Sequence, residues 1–286
     1  MTVTVVVPTV DRVDLLARCL RGLDGADVLV VHDGDRGVRA LLERTGTRGL
    51  QVPERGVSAK RNAGWQAATG ERVAFTDDDC EPSPGWLDAL LAVDADLVAG
   101  PVAPHPDDTA VGPWDRTVTS TAPGLYPGCN LLLRRTVLDA VGGFDEGLSG
   151  GEDTDLAWRV RESGATHGWA DDAVVWHAVR PVTFPEQLRS LPRWAGLPLV
   201  VGRHPQLREH AHRRVFWKDS HPAALLALAG LLLAARDRRA LLAVVPLLVR
   251  RLGGTPPRLG LERAVNDVVE TAVLVAGSLR HRSVLL

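Results

Sequence analysis

The sequence predicts an α/β protein: a doubly wound, mostly parallel sheet flanked by helices, followed by a mainly helical, apolar and basic extension. Three observations carry this. Short β-branched runs alternate with segments of helical periodicity through the first half, the order that produces parallel strands joined by crossover helices. The first three strand-like runs each end in polar residues, Thr9, Asp33 and the triplet Asp77, Asp78 and Asp79, where open parallel sheets bind their ligands. From Val201 onward there are 14 Lys and Arg against 6 Asp and Glu, a net charge of +8 that leaves −10 for the first 200 residues. An acidic front and a basic rear imply two different tasks.

The elements follow in order. "VTVVVP" (residues 3–8) is a β-branched run of the kind buried on both faces of a sheet. Asp11 is placed to cap a helix whose apolar positions Val13, Leu16, Leu20 and Leu23 share one face. "VLVVHD" (28–33) is the second strand, and residues 38–44 form a helix. Ser58 is read as the cap of "AKRNAGWQAAT", with Gly70 as its terminator. "RVAFT" (72–76) is the third strand, followed by a helix near residues 86–93 and a strand at 97–100. Residues 101–126, rich in Pro, Gly and Thr, read as loop. "NLLLRR" resumes order, and "TVLDAV" is a short helix stopped by Gly142 and Gly143. "SGGEDTDLAWRVRESG" is a glycine loop feeding a helix with Leu156, Ala157 and Val160 inward, and "AVVWHAV" (173–179) is a strand carrying His177. The expected division is a catalytic domain over residues 1–185 and a helical region over 186–286.

At 286 residues and 45% hydrophobic content the chain can bury a sizeable core. Three separated cysteines, Cys19, Cys80 and Cys129, fit reduced thiols in a cytosol-facing protein. The opening "MTVTVVVPTVDR" lacks the basic and apolar regions of a signal peptide. There is no GxGxxG, no GxxxxGK[ST], no HExxH and no GxSxG, so dinucleotide, P-loop, zinc-hydrolase and serine-hydrolase chemistries have no anchor. Nothing points to a nucleic-acid partner.

The triplet "DDD" carries the most chemistry. Adjacent carboxylates about 4 Å apart repel by roughly 4 kcal/mol at an effective dielectric near 20. A solvated, capped turn is the plain explanation. A divalent-metal site explains more, because Mg²⁺ and Mn²⁺ take carboxylate oxygens and keep remaining positions for substrate phosphates. In "GGEDTDLAWR", Glu152 and Asp153 either cap the following helix or supply a general base to a hydroxyl. Lys60 and Arg61, with Asp33 and Thr9 on neighbouring strand ends, are placed to line a nucleotide pocket. His177 ends its strand as the aspartates end theirs, and is open to both core and ligand roles.

Taken in order, "VVVPTVDR", "VVHDGD", "RGVSAKRNAGWQAATGERVAFTDDD", "GCNLLLRR", "VGGFDE" and "GGEDTDLAWR" resemble the family 2 glycosyltransferases, whose catalytic domain has the GT-A fold. The resemblance spans Val3 to about Val179. It implies inverting transfer of a sugar from a nucleotide diphosphate donor to an acceptor hydroxyl, with Mn²⁺ or Mg²⁺ at a DxD motif. That motif falls on Asp77 and Asp79, with Asp79 the direct metal ligand, Asp77 nearer the ribose or the metal, and Asp78 the spacer. The implied donor-binding set is Pro8, Thr9, Asp33, Lys60, Arg61, Asn62, Asp77 and Asp78. The implied metal set is Asp79, Asp77 and His177, and the acid pair is Glu152 and Asp153, with Asp153 as base. Cys80 is expected to be a bystander. Two departures, His32 before the base-reading Asp33 and Lys60 where the family has alanine or arginine, leave the donor open among UDP-, dTDP- and GDP-sugars.

In the rear segment, "PAALLALAGLLLAA" (222–235) and "ALLAVVPLLV" (240–249) are too short to span a bilayer, and Arg236, Arg238 and Arg239 separate them. Interfacial helices or a shallow hairpin fit, as does a small helical domain packed on itself. The expected setting is the inner face of the cell membrane, peripheral or monotopic, with a glycan or lipid-linked acceptor. Two other classes compete: a sugar-1-phosphate nucleotidyltransferase, which would want a basic glycine-rich loop after the first strand, and a non-catalytic carbohydrate-binding or scaffold module, which would have lost the acidic residues.

Overall fold

The computed structural model describes residues 2–53, 55–108 and 112–286. The chain forms two compact units. The first comprises Met1–Ala110, Arg116–Leu148 and Glu152–Arg180; the second comprises Val111–Asp115, Ser149–Gly151 and Pro181–Leu286.

The first unit is built on β1 (Val3–Pro8), β2 (Val28–His32), β3 (Arg48–Gln51), β4 (Arg72–Phe75), β5 (Cys80–Pro82), β6 (Leu97–Ala99), β7 (Val102–Pro104), β8 (Leu131–Arg134), β9 (His167–Trp169) and β10 (Val175–His177). Seven of these form one sheet in the order β3-β2-β1-β4-β8-β6-β9, and β5-β10-β7 form a second. In the large sheet β1 pairs in parallel with β2 and β4, with Val5 opposite Val28 and Ala74. Only β8 runs against its neighbours, pairing antiparallel with β4 and β6. The doubly wound, mostly parallel expectation therefore holds. Val5, Val6, Val7, Val30 and Val31 are fully buried, as two-sided coverage by helices requires.

Those helices are α1 (Val13–Gly22), α2 (Arg36–Thr45), α3 (Val57–Ala67), α4 (Trp86–Ala92), α5 (Arg135–Val141) and α6 (Glu152–Glu162). Helix α3 lies close against the sheet because of Gly64, where a Cβ would sit 2.3 Å from Val6 Cγ1. Gly142 ends α5 in the left-handed conformation that its position suggested. Leu156, Ala157 and Val160 form the buried face of α6.

Three local expectations need correction. Asp11 does not cap α1; the N-cap is Arg12, whose side chain makes no capping bond. Ser58 lies inside α3, whose N-cap is Gly56, and Gly70 does not terminate that helix, which ends at Ala68 in an extended conformation. Gly70 is instead a close-approach position, where a Cβ would meet the Thr4 nitrogen at 2.7 Å. Strand β3 carried no sequence signal, because "RGLQ" is largely exposed on the sheet edge and lacks the β-branched residues of a buried strand.

The second unit contains α7 (Phe184–Ser190), α8 (Leu197–Arg203), α9 (His221–Leu233), α10 (Val245–Leu252) and α11 (Pro257–His281), with 3-10 turns between them. Its apolar cluster is small: Ala224, Ala227, Leu247 and Ala264. Helix α11 adds a buried polar seam, where Lys218 donates to Glu270 at 2.6 Å and Arg251 to Asp267 at 2.6 Å. Among the described residues no helix is long and apolar enough to cross a membrane.

Candidate active site

The carboxyl ends of β1, β2, β4 and β10 converge on one cleft of about 290 Å³, lined among others by Thr9, Arg12, Asp33, Lys60, the three aspartates and His177. A larger groove of about 860 Å³ lies at the amino ends of β2 and β3, between α1 and α2. It holds none of the acidic cluster, so the smaller cleft is the chemical centre.

Lys60 rises from the first turns of α3 and donates to the Thr9 carbonyl at 2.6 Å and to Asp33 Oδ2 at 3.1 Å. It ties together the ends of the first two strands. His32 lies beneath, accepting from the Gly34 amide at 3.1 Å through Nδ1, and burial pushes its pKa down. A neutral imidazole thus shapes the turn that presents Asp33.

The three aspartates divide between two arginines, Asp77 on Arg61 and both Asp78 and Asp79 on Arg12. Asp77 accepts from Arg61 Nη2 at 2.7 Å. Asp78 is fully buried, accepts from the Thr9 hydroxyl at 2.6 Å, and pairs with Arg12. Burial raises its pKa to about 6, against the pull of Arg12 and Thr9. Asp78 is therefore more than a spacer: it anchors the loop to β1. Asp79 pairs with Arg12 at 2.5 Å and faces His177, with Oδ1 to Nε2 at 3.6 Å.

Asp79 and His177 suit a divalent cation. His177 Nδ1 lies 2.8 Å from the Ala178 carbonyl, a contact that orients the ring with Nε2 toward the carboxylate. A carboxylate oxygen and an imidazole nitrogen this close are ligand types that one divalent cation can share. The Cys80 thiol lies in the same cluster, but burial holds its pKa far above the ordinary value. A soft thiol is a poorer match for a hard ion than the carboxylate and imidazole beside it.

Glu152 and Asp153 open α6. Asp153 accepts from the Gly128 amide at 2.8 Å and the Thr154 amide at 2.7 Å, and is partly exposed. Burial raises its pKa to about 6, and the Glu152 charge adds to the rise, while Arg61 and the two amides oppose it. A carboxylate poised there accepts a proton near neutral pH. Arg61 spans the two acidic centres, donating to Asp77 and, at 3.2 Å, to Glu152. Its own pKa lies above the usual value: burial alone lowers it, but Asp77, Glu152 and Asp153 outweigh that. Gly128 leaves room for this guanidinium, since a Cβ there would meet it at 2.9 Å.

The donor-binding set therefore divides. Pro8, Thr9, Asp33, Lys60, Asp77 and Asp78 line the cleft. Arg61 is buried behind it as a bridge. Asn62 is structural, donating to the Phe144 carbonyl at 2.9 Å and accepting from the Phe144 amide at 2.8 Å. Two participants escaped sequence reasoning. Arg12 sits inside "VVVPTVDR", but nothing local shows that it would turn back onto Asp78 and Asp79. Gly128 acts through its amide, which has no sequence signature.

Comparison with known proteins gives the same answer. A model described as glycosyl transferase family 2 matches residues 4–145, and one described as glycosyl transferase family group 2 matches residues 113–252. The chain belongs to the family 2 glycosyltransferases. With that assignment the nucleotidyltransferase alternative falls. This family 2 member is 33% identical over 203 residues to the pre-mycofactocin glycosyltransferase of Mycobacterium tuberculosis, an alignment covering 61% of this chain and 42% of the relative. It thus spans less than half of that relative's length. Among solved structures it is similar to the mannosyltransferase PcManGT from Pyrobaculum calidifontis in complex with GDP-Man and Mn²⁺, at 20% identity and a TM-score of 0.59, covering 98% of this chain and 86% of that one. It is also similar to S. aureus TarS in complex with UDP-GlcNAc, at 16% identity and a TM-score of 0.52, covering 99% and 93%. These likenesses establish the GT-A fold for this family 2 chain.

Proposed function

We propose that this chain transfers a sugar, with inversion, from a nucleotide-diphosphate sugar to an acceptor hydroxyl. The observation that carries the reading is the bridge at Arg61, which joins a cation-suited aspartate loop to an acidic pair on a separate helix. Single displacement needs both in one place: charge stabilisation for the departing diphosphate and a base for the incoming hydroxyl.

Asp33, Lys60 and Thr9 hold the nucleoside, with Asp77 toward the ribose or the metal. Asp79 and His177 hold Mn²⁺ or Mg²⁺, which neutralises the diphosphate when bound. Asp153 Oδ takes the acceptor's hydroxyl proton as the new C–O bond forms and the bond to the diphosphate oxygen breaks. Its contacts to two backbone amides fix the carboxylate before the acceptor arrives. The complexes named above, one with GDP-Man and Mn²⁺ and one with UDP-GlcNAc, support a nucleotide-sugar donor and a divalent metal. The leucine-rich surface of the second unit supports a glycan or lipid-linked acceptor met at the inner face of the cell membrane.

The test is a thermal-shift panel of UDP-, dTDP- and GDP-sugars with Mn²⁺ or Mg²⁺, since ligands of the native state raise its apparent stability. One donor class should raise Tm only with metal, and product NMR with that donor should show the inverted anomer. A retained anomer, or no donor that shifts Tm, would overturn the proposal.

A further inference from the structure

Helix α9, "HPAALLALAGLLL", is packed inside out. Beyond His221 at its start, its buried positions are small, Ala224, Ala227 and Gly230, spaced three residues apart, while Leu226, Leu231, Leu232 and Leu233 are exposed. Gly230 lets the following segment press against α9, where a Cβ would lie 2.6 Å from the Ala240 carbonyl and 2.7 Å from Ala243 Cβ. That segment repeats the pattern: Leu241, Leu242, Val245 and Val249 face outward, and only Leu247 is buried. Leu232 and Leu242 are each 71% exposed and Val249 is 68% exposed. A surface helix in water does the reverse, turning its large apolar side chains toward the protein core. So many large apolar side chains on one short hairpin mark an interaction surface.

The turn between the two segments carries the second observation. Arg236, Arg238 and Arg239 are all exposed, and among the described residues none has an ion-pair partner. By contrast, Arg250 pairs with Asp219 and Arg251 with Asp267. Unpaired arginines beside exposed leucines complement anionic headgroups over acyl chains. A twofold contact with a second copy would instead bring two such positive turns to one interface. At 13 residues α9 is about 20 Å long, too short for a hydrocarbon layer of about 30 Å, so the hairpin lies in the interface and does not span it.

We propose that this hairpin docks on an anionic bilayer, seating Leu232, Leu242 and Val249 among the acyl chains and Arg236, Arg238 and Arg239 at the headgroup phosphates. The proposal deepens the membrane setting inferred above and rests on it, but does not depend on the transfer chemistry. The three arginines together account for roughly 100-fold in affinity.

The test is co-sedimentation of the full chain with phosphatidylcholine vesicles, with and without phosphatidylglycerol as the anionic lipid. The wild type should pellet with the anionic vesicles and release as salt rises. The variant L232S/L242S/V249S should bind at least about tenfold more weakly, and R236Q/R238Q/R239Q should lose the preference for anionic lipid. Unchanged Tm and unchanged transfer to a water-soluble acceptor check the fold of each variant. As a measurement that leaves the apolar surface largely intact, Leu242→Cys carries a polarity-sensitive dye, the native cysteines being buried; a blue shift on anionic vesicles is expected. A wild type that pellets with neither vesicle overturns the membrane setting. A serine variant that binds as well as the wild type overturns this surface. A wild-type dimer that the serine variant converts to monomer assigns the surface to a second copy and overturns the proposal. Loss of transfer with lipid binding intact counts against the chemistry alone.

Discussion

Arg61 Nη2 lies 2.7 Å from Asp77 Oδ1, and the other arm of the same guanidinium reaches Glu152 at 3.2 Å. One buried cation thereby fixes the spacing between the loop after β4 and the start of α6. Removing it leaves carboxylates in a low-dielectric site without their counter-ion, which costs about 3–5 kcal/mol in comparable pairs. Arg61→Gln should lower Tm and reduce kcat by about 100-fold or more. It should also move the acid limb of the pH profile upward, because Arg61 holds down the pKa of Asp153. A lowered Tm with an unmoved acid limb would make Arg61 structural only.

Asp153 gives the clearest pH prediction. Its pKa is raised to about 6, and a base works only when deprotonated. Transfer should therefore be full above that value and fall as pH drops through it, a sign opposite to that of a general acid. Asp153→Asn should bind donor and metal like the wild type and lose roughly 10²–10⁴-fold in kcat, with a somewhat lower Tm, because its NH2 faces one of the two backbone amides that the carboxylate accepts from. Turnover within threefold of wild type (roughly the scatter expected of a substitution that touches no reacting group) would remove Asp153 as the base.

Metal binding separates Asp79 and His177 from their neighbours. Asp79→Ala and His177→Ala should each weaken Mn²⁺ binding in the presence of donor, read by electron paramagnetic resonance of the free ion. Loss of one of few protein ligands is expected to cost at least about 10–100-fold, the scale already seen for their outer partners. Cys80→Ser should leave that affinity unchanged, since the thiol is protonated and buried.

What could be read before the structure was set by physics that is local in sequence. Val3–Pro8 and Val28–His32 announce themselves because burial on both faces demands β-branched runs, and Asp77 and Asp79 because three adjacent acids need a reason. The failures share the opposite property. Gly70 reads as a helix terminator until the close approach of β1 is known. Asn62 reads as a pocket residue until Phe144, far along the chain, uses both ends of its amide. Arg12 reads as the edge of a motif, because only the tertiary fold shows what its guanidinium meets. Small residues on the inside of α9 likewise reverse what an apolar helix alone suggests.

The close approach at Gly64 tests the packing that positions Lys60 and Arg61. A methyl group there would lie 2.3 Å from Val6 Cγ1 and 3.0 Å from Val31 Cγ2, both on strands buried on two faces. Gly64→Ala raises helix propensity by about 1 kcal/mol, yet should lower stability by about 1–3 kcal/mol through overpacking. The urea midpoint should fall with an unchanged m-value. A rise would show that α3 stands farther from the sheet.

Arg12 makes the least intuitive prediction. It pairs with both Asp78 and Asp79, so its positive charge occupies the loop that a divalent cation must enter. In the proposed reaction a cation at Asp79 Oδ1, beside His177, would meet the repulsion of the guanidinium held on Oδ2, and a guanidinium turned away from it would stand beside the donor's diphosphate, where bidentate contacts suit it. Arg12→Gln removes the competitor. Without nucleotide, Mn²⁺ should bind the variant more tightly, on the order of tenfold. With the donor present the order should reverse, because the diphosphate has lost a cationic partner. Isothermal titration of Mn²⁺ with and without nucleoside diphosphate separates the two effects. Equal metal affinity in wild type and variant without nucleotide would mean that Arg12 does not compete for Asp79.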